Sequence, residues 1–247
     1  MKVFVVFGSK SDDNIQGPLA AALQKDFEVT SEVISAHRDL EKLQERMGEW
    51  QGDAYVAGAG LAAALPGVVA AMTALPVFGV PVPSQFGGLD SLGSIAQMPP
   101  GVPVLTAGPA STAPIVKFLQ QYKTAKTDYA RMNIVLRTST PETLAEIEKA
   151  KAAAAEKGIA LAVSDKMAEG ALNVVFVQEV ADIRADDFCL HVPFVEKAAA
   201  QKPETYLTLL DWANKGGIWL GANNIRNAVH AAARLKGASK LAKERAA

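Results

Sequence analysis

Short apolar runs recur along the chain, separated by amphipathic stretches of helical spacing. Lys2–Phe7, Phe27–Ile34, Ala54–Ala57, Val77–Val82 and Val102–Thr106 are apolar and rich in β-branched residues, which predicts strands. The intervening residues 13–25, 39–50, 61–74, 88–98 and 111–124 carry helical patterns. Strands alternating with helices of this length predict a parallel sheet covered on both faces. Right-handed crossovers then make an α/β fold, a flavodoxin-like three-layer α/β/α sandwich.

A polar stretch, Lys123–Arg131, follows the fifth helix and reads as a linker. The alternation then restarts. Met132–Leu136, Ile159–Val163, Val174–Val177, Phe188–Val192 and Ile218–Leu220 are strand-like; Pro141–Lys157, Pro203–Asn214 and Asn224–Lys243 are helical. Thr140 suits an N-cap and Pro141 a first helical position. Leu75–Val82 has a counterpart in Phe188–Phe194, and Val104–Gln120 resembles Ile218–Arg234. Only Gln178–Asp186 stands where the first half has the whole Gly60–Thr73 helix. These likenesses predict two tandem copies, 1–124 carrying the chemistry and 132–247 a structural copy that lost its site. The alternative is two unrelated α/β modules, because such patterns recur by chance.

Composition narrows the function. With 49% apolar and 21% charged residues the chain is an ordinary globular one, not a disordered one. Lysine plus arginine number 25 against 26 acidic residues, so the basic excess of a nucleic-acid binder is lacking. The single cysteine, Cys189, excludes an intrachain disulfide framework and a cysteine-built zinc or iron–sulfur site. The three histidines, His37, His191 and His230, leave few candidates for metal binding or proton transfer. The apolar run Val3–Phe7 is too short for a secretory signal, which predicts a cytoplasmic protein.

One segment looks superficially like a membrane span. From Ala54 to Ala113 the only charged residue is Asp90, where average composition would place about a dozen. Pro66, Pro76, Pro81 and Pro83, with Gly58, Gly60, Gly67 and Gly79, interrupt every stretch long enough to span. The segment therefore predicts buried strands and helices, part of whose surface faces another subunit rather than a membrane.

Ligands of such sheets bind at the carboxyl ends of the strands. Gly8-Ser9-Lys10-Ser11-Asp12 follows the first strand and opens a helix, supplying N–H groups and hydroxyls to an anion. It fits neither a dinucleotide fingerprint nor a P-loop. Its bland alternative is a simple turn capped by Ser11 or Asp12. Ser35-Ala36-His37-Arg38 ends the second strand; a histidine there can move protons near neutral pH and an arginine can hold phosphate. The alternative is a histidine satisfied by a loop carbonyl. Ala57-Gly58-Ala59-Gly60 ends the third strand and allows close approach of a flat ligand, or merely close packing. Together, the three loops put an anion cradle, a proton-transfer group and a small-residue pocket at one end of the sheet.

These motifs carry a resemblance. GSKSD at 8–12, SAHR at 35–38, AGAG at 57–60, LPG at 65–67, PVFGVPV at 76–82 and GLDSLGSIAQMPPGVPV at 88–104 resemble the N5-carboxyaminoimidazole ribonucleotide mutases. This is the class I catalytic subunit of phosphoribosylaminoimidazole carboxylase. The likeness runs from about residue 2 to 122; the second half resembles the family only at its last strand and helix, where Asn227 matches a family asparagine and the first copy has Pro114.

The resemblance implies an octameric three-layer enzyme of purine biosynthesis that acts on aminoimidazole ribonucleotides without metal or organic cofactor. It implies His37 as general acid and base. Ser9, Ser11, Asp12 and Arg38 would hold phosphate and ribose, and Ala59, Gly60 and Leu65 would line a CO2 pocket. Ser35 and Gly58 complete the substrate-binding set, and Met98-Pro99 would reach a neighbouring subunit's site. Two copies per chain then predict a homotetramer with pseudo-octameric symmetry. Two positions depart from the family's usual GAGGAAHLPG: Leu61 replaces a glycine and Ala64 a histidine. Arg38 favours class I over the enzymes that carboxylate aminoimidazole ribonucleotide directly with CO2. His191 reads as structural, His230 as a solvent or packing residue, Cys189 as buried and inert, and Lys236–Arg245 as a solvated helix end.

Overall fold

The computed structural model describes residues 1–246. Strand β1 (Lys2–Phe7) sends Phe4 and Val6 into one apolar cluster and Val3, Val5 and Phe7 into another. A strand buried on both sides belongs at the centre of a parallel sheet. The first half continues through α1 (Asp13–Leu23), β2 (Glu28–Val33), α2 (Leu40–Glu49), β3 (Ala54–Ala59), α3 (Leu65–Met72), β4 (Val77–Pro81), α4 (Leu89–Ala96), β5 (Leu105–Thr106) and α5 (Ala113–Thr124). The second half comprises β6 (Asp128–Val135), α6 (Pro141–Lys157), β7 (Ala160–Ser164), β8 (Ala171–Val177), β9 (Cys189–Pro193), α7 (Pro203–Ala213), β10 (Ile218–Trp219) and α8 (Ile225–Ala246).

The ten strands among the described residues form one sheet in the order β2-β1-β3-β4-β5-β10-β9-β8-β6-β7. Each half therefore has the same internal order, and the halves meet edge to edge. The parallel sheet expected from the sequence is parallel within each half. At the junction, Trp219 of β10 lies antiparallel to Thr106 of β5. Joining two like edges about a local twofold makes the edge strands antiparallel, which single-strand patterns do not reveal. The correspondence extends to backbone detail: Ala110 after β5 and Asn223 after β10 share a φ of 54°, and their N–H groups donate to Pro81 O and Pro193 O.

Helices α1, α5, α6 and α8 pack on one face, where a single apolar cluster runs from Val3 and Leu19 through Phe118 to Ile147 and Leu235. On the other face α2, α3 and α4 bury Leu43, Met47, Val69 and Ile95, and α7 joins α4 around Leu92, Ala213 and Trp219. No helix lies between β7 and β8, and a single 3₁₀ turn at Val180–Asp182 lies between β8 and β9. There Asn133 and Asn173 replace apolar packing. Asn133 Nδ2 donates to Asn173 Oδ1 and Lys166 O, and Asn173 Oδ1 accepts from Ala168 N, so the loop itself covers the sheet.

Boundaries moved where local chemistry overrode the pattern. Helix α6 matches its expectation: Thr140 and Thr143 form a capping box and Gly158 ends it at φ 60°, the left-handed stop that glycine permits. Helix α3 starts four residues later than expected because Ala62 is left-handed, with φ 49°. Strand β5 keeps only two residues, since Pro99, Pro100 and Pro103 have no N–H for a ladder. Residues 125–127 alone separate α5 from β6, because Asp128 already pairs with Ala171. No helix among the described residues is long and apolar enough to cross a membrane.

Candidate active site

The loop after β1 is organised by its own serines. Gly8 N donates to Gly58 O at 3.1 Å, tying the ends of β1 and β3 together. Ser9 caps the following 3₁₀ turn: its Oγ accepts from Ser11 N at 3.2 Å and lies 2.8 Å from Ser11 Oγ. Ser11 Oγ also reaches Asp12 Oδ1 at 2.8 Å. Asp12 is buried and its side chain makes no capping bond to α1. Asp13 N donates to Lys10 O, so the 3₁₀ turn runs straight into α1 and Ser9 caps the whole helical start, the end of a helix that suits an anion.

The loop after β2 is a tight turn in which Ser35 O accepts from Arg38 N at 3.3 Å and Asp39 N at 2.8 Å. Ser35 is buried and the His37 and Arg38 side chains are exposed. Arg38 Nη2 reaches back to Gly8 O at 3.4 Å, bringing the guanidinium beside the first loop. The third wall is the small-residue segment after β3. Gly60 is needed by packing as well as by access: a Cβ there would stand 3.2 Å from Val82 O. At Gly58 a Cβ would strike the Phe7 ring at 2.2 Å, so this glycine serves the core.

These loops line a cleft of about 780 Å³ at the carboxyl ends of the first five strands. It lies at the switch point between β1 and β3, where open sheets of this order bind ligands. Ser9, Ser11, Asp12, Ser35, His37, Arg38, Ala59, Gly60 and Leu65 all line it. Gly58 does not; its carbonyl instead holds Gly8 from beneath. The cleft also takes Pro83 and Ser84 after β4 and Ala110 after β5, which motif reading had left out. The strand-end rule applied to the fourth and fifth strands would have found them. Ala62 and Ala110 both line the cleft with positive φ, a conformation that costs an L-residue about 1–2 kcal/mol and that is held by its surroundings. Leu61 stands 72% exposed at the mouth, and Ala64 lies half-buried in the wall.

The corresponding edge of the second half is filled. Arg137, after β6, pairs with Glu179 Oε1 at 2.5 Å and Asp182 Oδ1 at 3.0 Å. Gln178, after β8, accepts from Thr138 N and donates to Thr138 O, both at 2.9 Å. These bonds take the place of the open Gly8–Ser9 loop.

The other candidates have structural surroundings. His191 is fully buried and stacks on Trp219 at 4.7 Å. Its Nε2 accepts from Arg184 N, and its Nδ1 lies 3.1 Å from Ile218 O. Burial pushes its pKa down to about 4, so the ring is neutral, with Nδ1 the donor. Burial also lowers the pKa of His230 on α8. Burial pushes the Cys189 thiol up to about 12, which removes the reactive thiolate. No group of three His, Cys, Asp or Glu residues is gathered for a metal ion among the described residues.

A doubly wound α/β half with a serine-lined cleft at its switch point thus lies beside a half of the same strand order, whose corresponding strand ends are bridged by Gln178 and Arg137. Residues 2–118 match the family model described as AIR carboxylase. A Pyrococcus abyssi protein named N5-carboxyaminoimidazole ribonucleotide mutase is 53% identical over 113 residues, covering 43% of this chain and 64% of its own. One of the same name from Methanocaldococcus jannaschii is 46% identical over 108 residues, covering 43% and 68%. A crystal structure of Treponema denticola PurE aligns with a TM-score of 0.45 at 24% identity, covering 51% of this chain and 82% of that one. The chain belongs to the AIR carboxylase family; it spans 64% of the length of the Pyrococcus abyssi relative.

Proposed function

We propose that the cleft of the first half moves a carboxyl group on an aminoimidazole ribonucleotide, from the exocyclic nitrogen to C4 of the ring. The observation that carries this reading is the meeting of three loops in one cleft. Ser9 and Ser11 stand at the start of α1, His37 and Arg38 on the rim, and small apolar residues form the wall. The serine hydroxyls and helix N–H groups suit the ribose phosphate, with Arg38 adding charge-assisted bonds. Ser35 and Asp12 lie beside the ribose.

His37, on the rim of the cleft, is the group assigned to proton transfer. It gives its proton to the carbamate nitrogen as the N–C bond breaks, leaving CO2 and aminoimidazole ribonucleotide. C4 then attacks the CO2 retained against Ala59, Gly60 and Leu65, and His37 takes the C4 proton back. The proton count closes, and CO2 is re-used before it escapes. The test is formation of the C4-carboxylated product from N5-carboxyaminoimidazole ribonucleotide, against aminoimidazole ribonucleotide with bicarbonate. Turnover of the first supports the mutase; turnover of the second alone makes the enzyme a direct carboxylase. Turnover of neither leaves a nucleotide binder, the reading that Ala64 and the exposed Leu61 favour.

The division of labour between a catalytic half, 1–124, and a structural half, 132–247, belongs to this reading. So does a cytoplasmic homotetramer of about 104 kDa, four chains of 26.0 kDa with pseudo-octameric symmetry. Its support is the uncharged outer surface of α3, where Ala71 and Met72 are exposed. Light scattering tests it, and a stable monomer would refute it.

A further inference from the structure

Helix α8 belongs to the second half, yet two of its polar side chains, Asn227 and Arg234, serve the first. Asn227, 1% exposed, directs its whole amide at the Met98–Gly101 turn. Its Oδ1 accepts from Gly101 N at 2.9 Å, and its Nδ2 donates to Pro99 O at 3.0 Å and Met98 O at 3.3 Å. Just before the helix, Asn224 Nδ2 donates to Met98 O at 2.9 Å. About two helical turns further on, Arg234 donates from Nη2 to Ala70 O at 2.8 Å and from Nη1 to Leu75 O at 3.3 Å.

Both grips converge on α3. Arg234 takes a carbonyl of its last turn, where α3 has no basic residue of its own. Such carbonyls lack partners within the helix and attract a cation. Asn227 acts at the other end through Met98, which lies over Gly67: a Cβ on that glycine would stand 3.1 Å from Met98 Sδ and Cε. The first half does not return the contact, since Pro114 occupies the position of Asn227 and carries no side-chain amide.

Helix α3 needs such support. It has eight residues, too few to be stable alone. Immediately before it, Ala62 holds a positive φ in the cleft wall, a conformation that persists only where neighbours over-determine it. We propose that α8 is an internal brace for the active-site wall, with Asn227 and Arg234 as positioning residues that fix α3 and the Ala59–Leu65 segment. The catalytic consequence rests on the function proposed above; the mechanical one does not.

The test uses the full chain with Asn227→Ala, Arg234→Met and Arg234→Lys, and with Lys236→Ala as control. Lys236 lies on α8 but donates to Gly158 O of its own half. Amide hydrogen exchange is followed by mass spectrometry without ligand. Exchange over residues 61–75 is expected to accelerate at least about tenfold in the first two variants, with β1 and β6 unchanged. Arg234→Lys should restore part of the protection, and Lys236→Ala should leave it intact. In turnover, kcat is expected to fall about tenfold, because small misplacements of a reacting site are costly. KM should stay within about twofold, because the phosphate loops lie elsewhere. Unchanged exchange over 61–75 in both variants, or equal acceleration throughout the sheet, would overturn the brace. Arg234→Met decides the matter if Asn227→Ala does not fold. If the unaltered protein has no turnover, the proposed function fails while the exchange result still judges the brace.

Discussion

The carboxyl ends of β1, β2 and β3 and those of β6, β7 and β8 occupy equivalent places in the same strand order, and they are treated in opposite ways. In the first half, the strand ends are tied to one another by Gly8 N and Gly58 O and stand beside serine hydroxyls, an exposed arginine and residues without bulk, leaving a cleft. In the second half, Gln178 takes both polar groups of Thr138, and Arg137 is held by Glu179 and Asp182. Strand-end N–H and C=O groups must be paired with something. Whether that partner is a ligand or a glutamine decides whether a strand edge is a site. The histidines follow the same division: His37 stands exposed on the cleft rim, whereas His191 lies buried with both ring nitrogens engaged.

That contrast can be broken most sharply at the histidines. His37→Asn is expected to lower turnover roughly 100- to 10,000-fold, the usual worth of acid–base catalysis, while nucleotide binding persists. Retention of more than about a tenth of the activity would remove His37 from its role.

His191 should show itself in stability instead. Its folded pKa of about 4 lies below the ordinary 6.5. Between those values the unfolded chain binds a proton that the folded one refuses. The stabilising contribution is therefore complete above pH 6.5 and is lost as pH falls toward 4. From pH 7 to 5 the loss should be about 2 kcal/mol. Urea unfolding of His191→Gln should be flatter over that range, and equal slopes for the two proteins would contradict this account.

Arg38→Ala should weaken binding of aminoimidazole ribonucleotide about tenfold, as loss of one charge-assisted bond does. Calorimetric titration measures it, and unchanged affinity would place the phosphate elsewhere. The smallest effect is expected at Gln178, at the strand ends of the second half. Gln178→Ala removes two exposed bonds to Thr138 and should cost less than about 1 kcal/mol. The stoichiometry should remain one nucleotide per chain; a second bound nucleotide would mean that the second edge is a site closed only by its own glutamine.

Much of this was legible because the relevant forces are local. Apolar runs with period two or 3.6 gave the strands and helices, and the Thr140-Pro141 start and Gly158 stop of α6 follow from capping chemistry alone. The cleft was legible for a related reason. GSKSD, SAHR and AGAG each follow a strand, and parallel strands place their carboxyl ends together. Gly58 was misplaced because a glycine beside a ligand and a glycine under an aromatic ring look alike in sequence. Pro83 and Ala110 were missed because no side-chain chemistry marks them, and Ser84 because a lone serine outside the three motifs looks like any loop serine.

By itself, then, the sequence determined the order and type of the elements, the place of the cleft in chain order, and the absence of its serine and histidine motifs from the second half. These depend on periodicity and on residue identity within a few positions. The tertiary structure alone decided that the halves share one sheet through an antiparallel β5–β10 pair. It alone decided that Gln178 and Arg137 close the second edge, and that α8 reaches back with Asn227 and Arg234 to hold α3. Each of these joins groups far apart in the chain through short, directional hydrogen bonds, whose partners become definite only when packing has brought the distant backbone within reach.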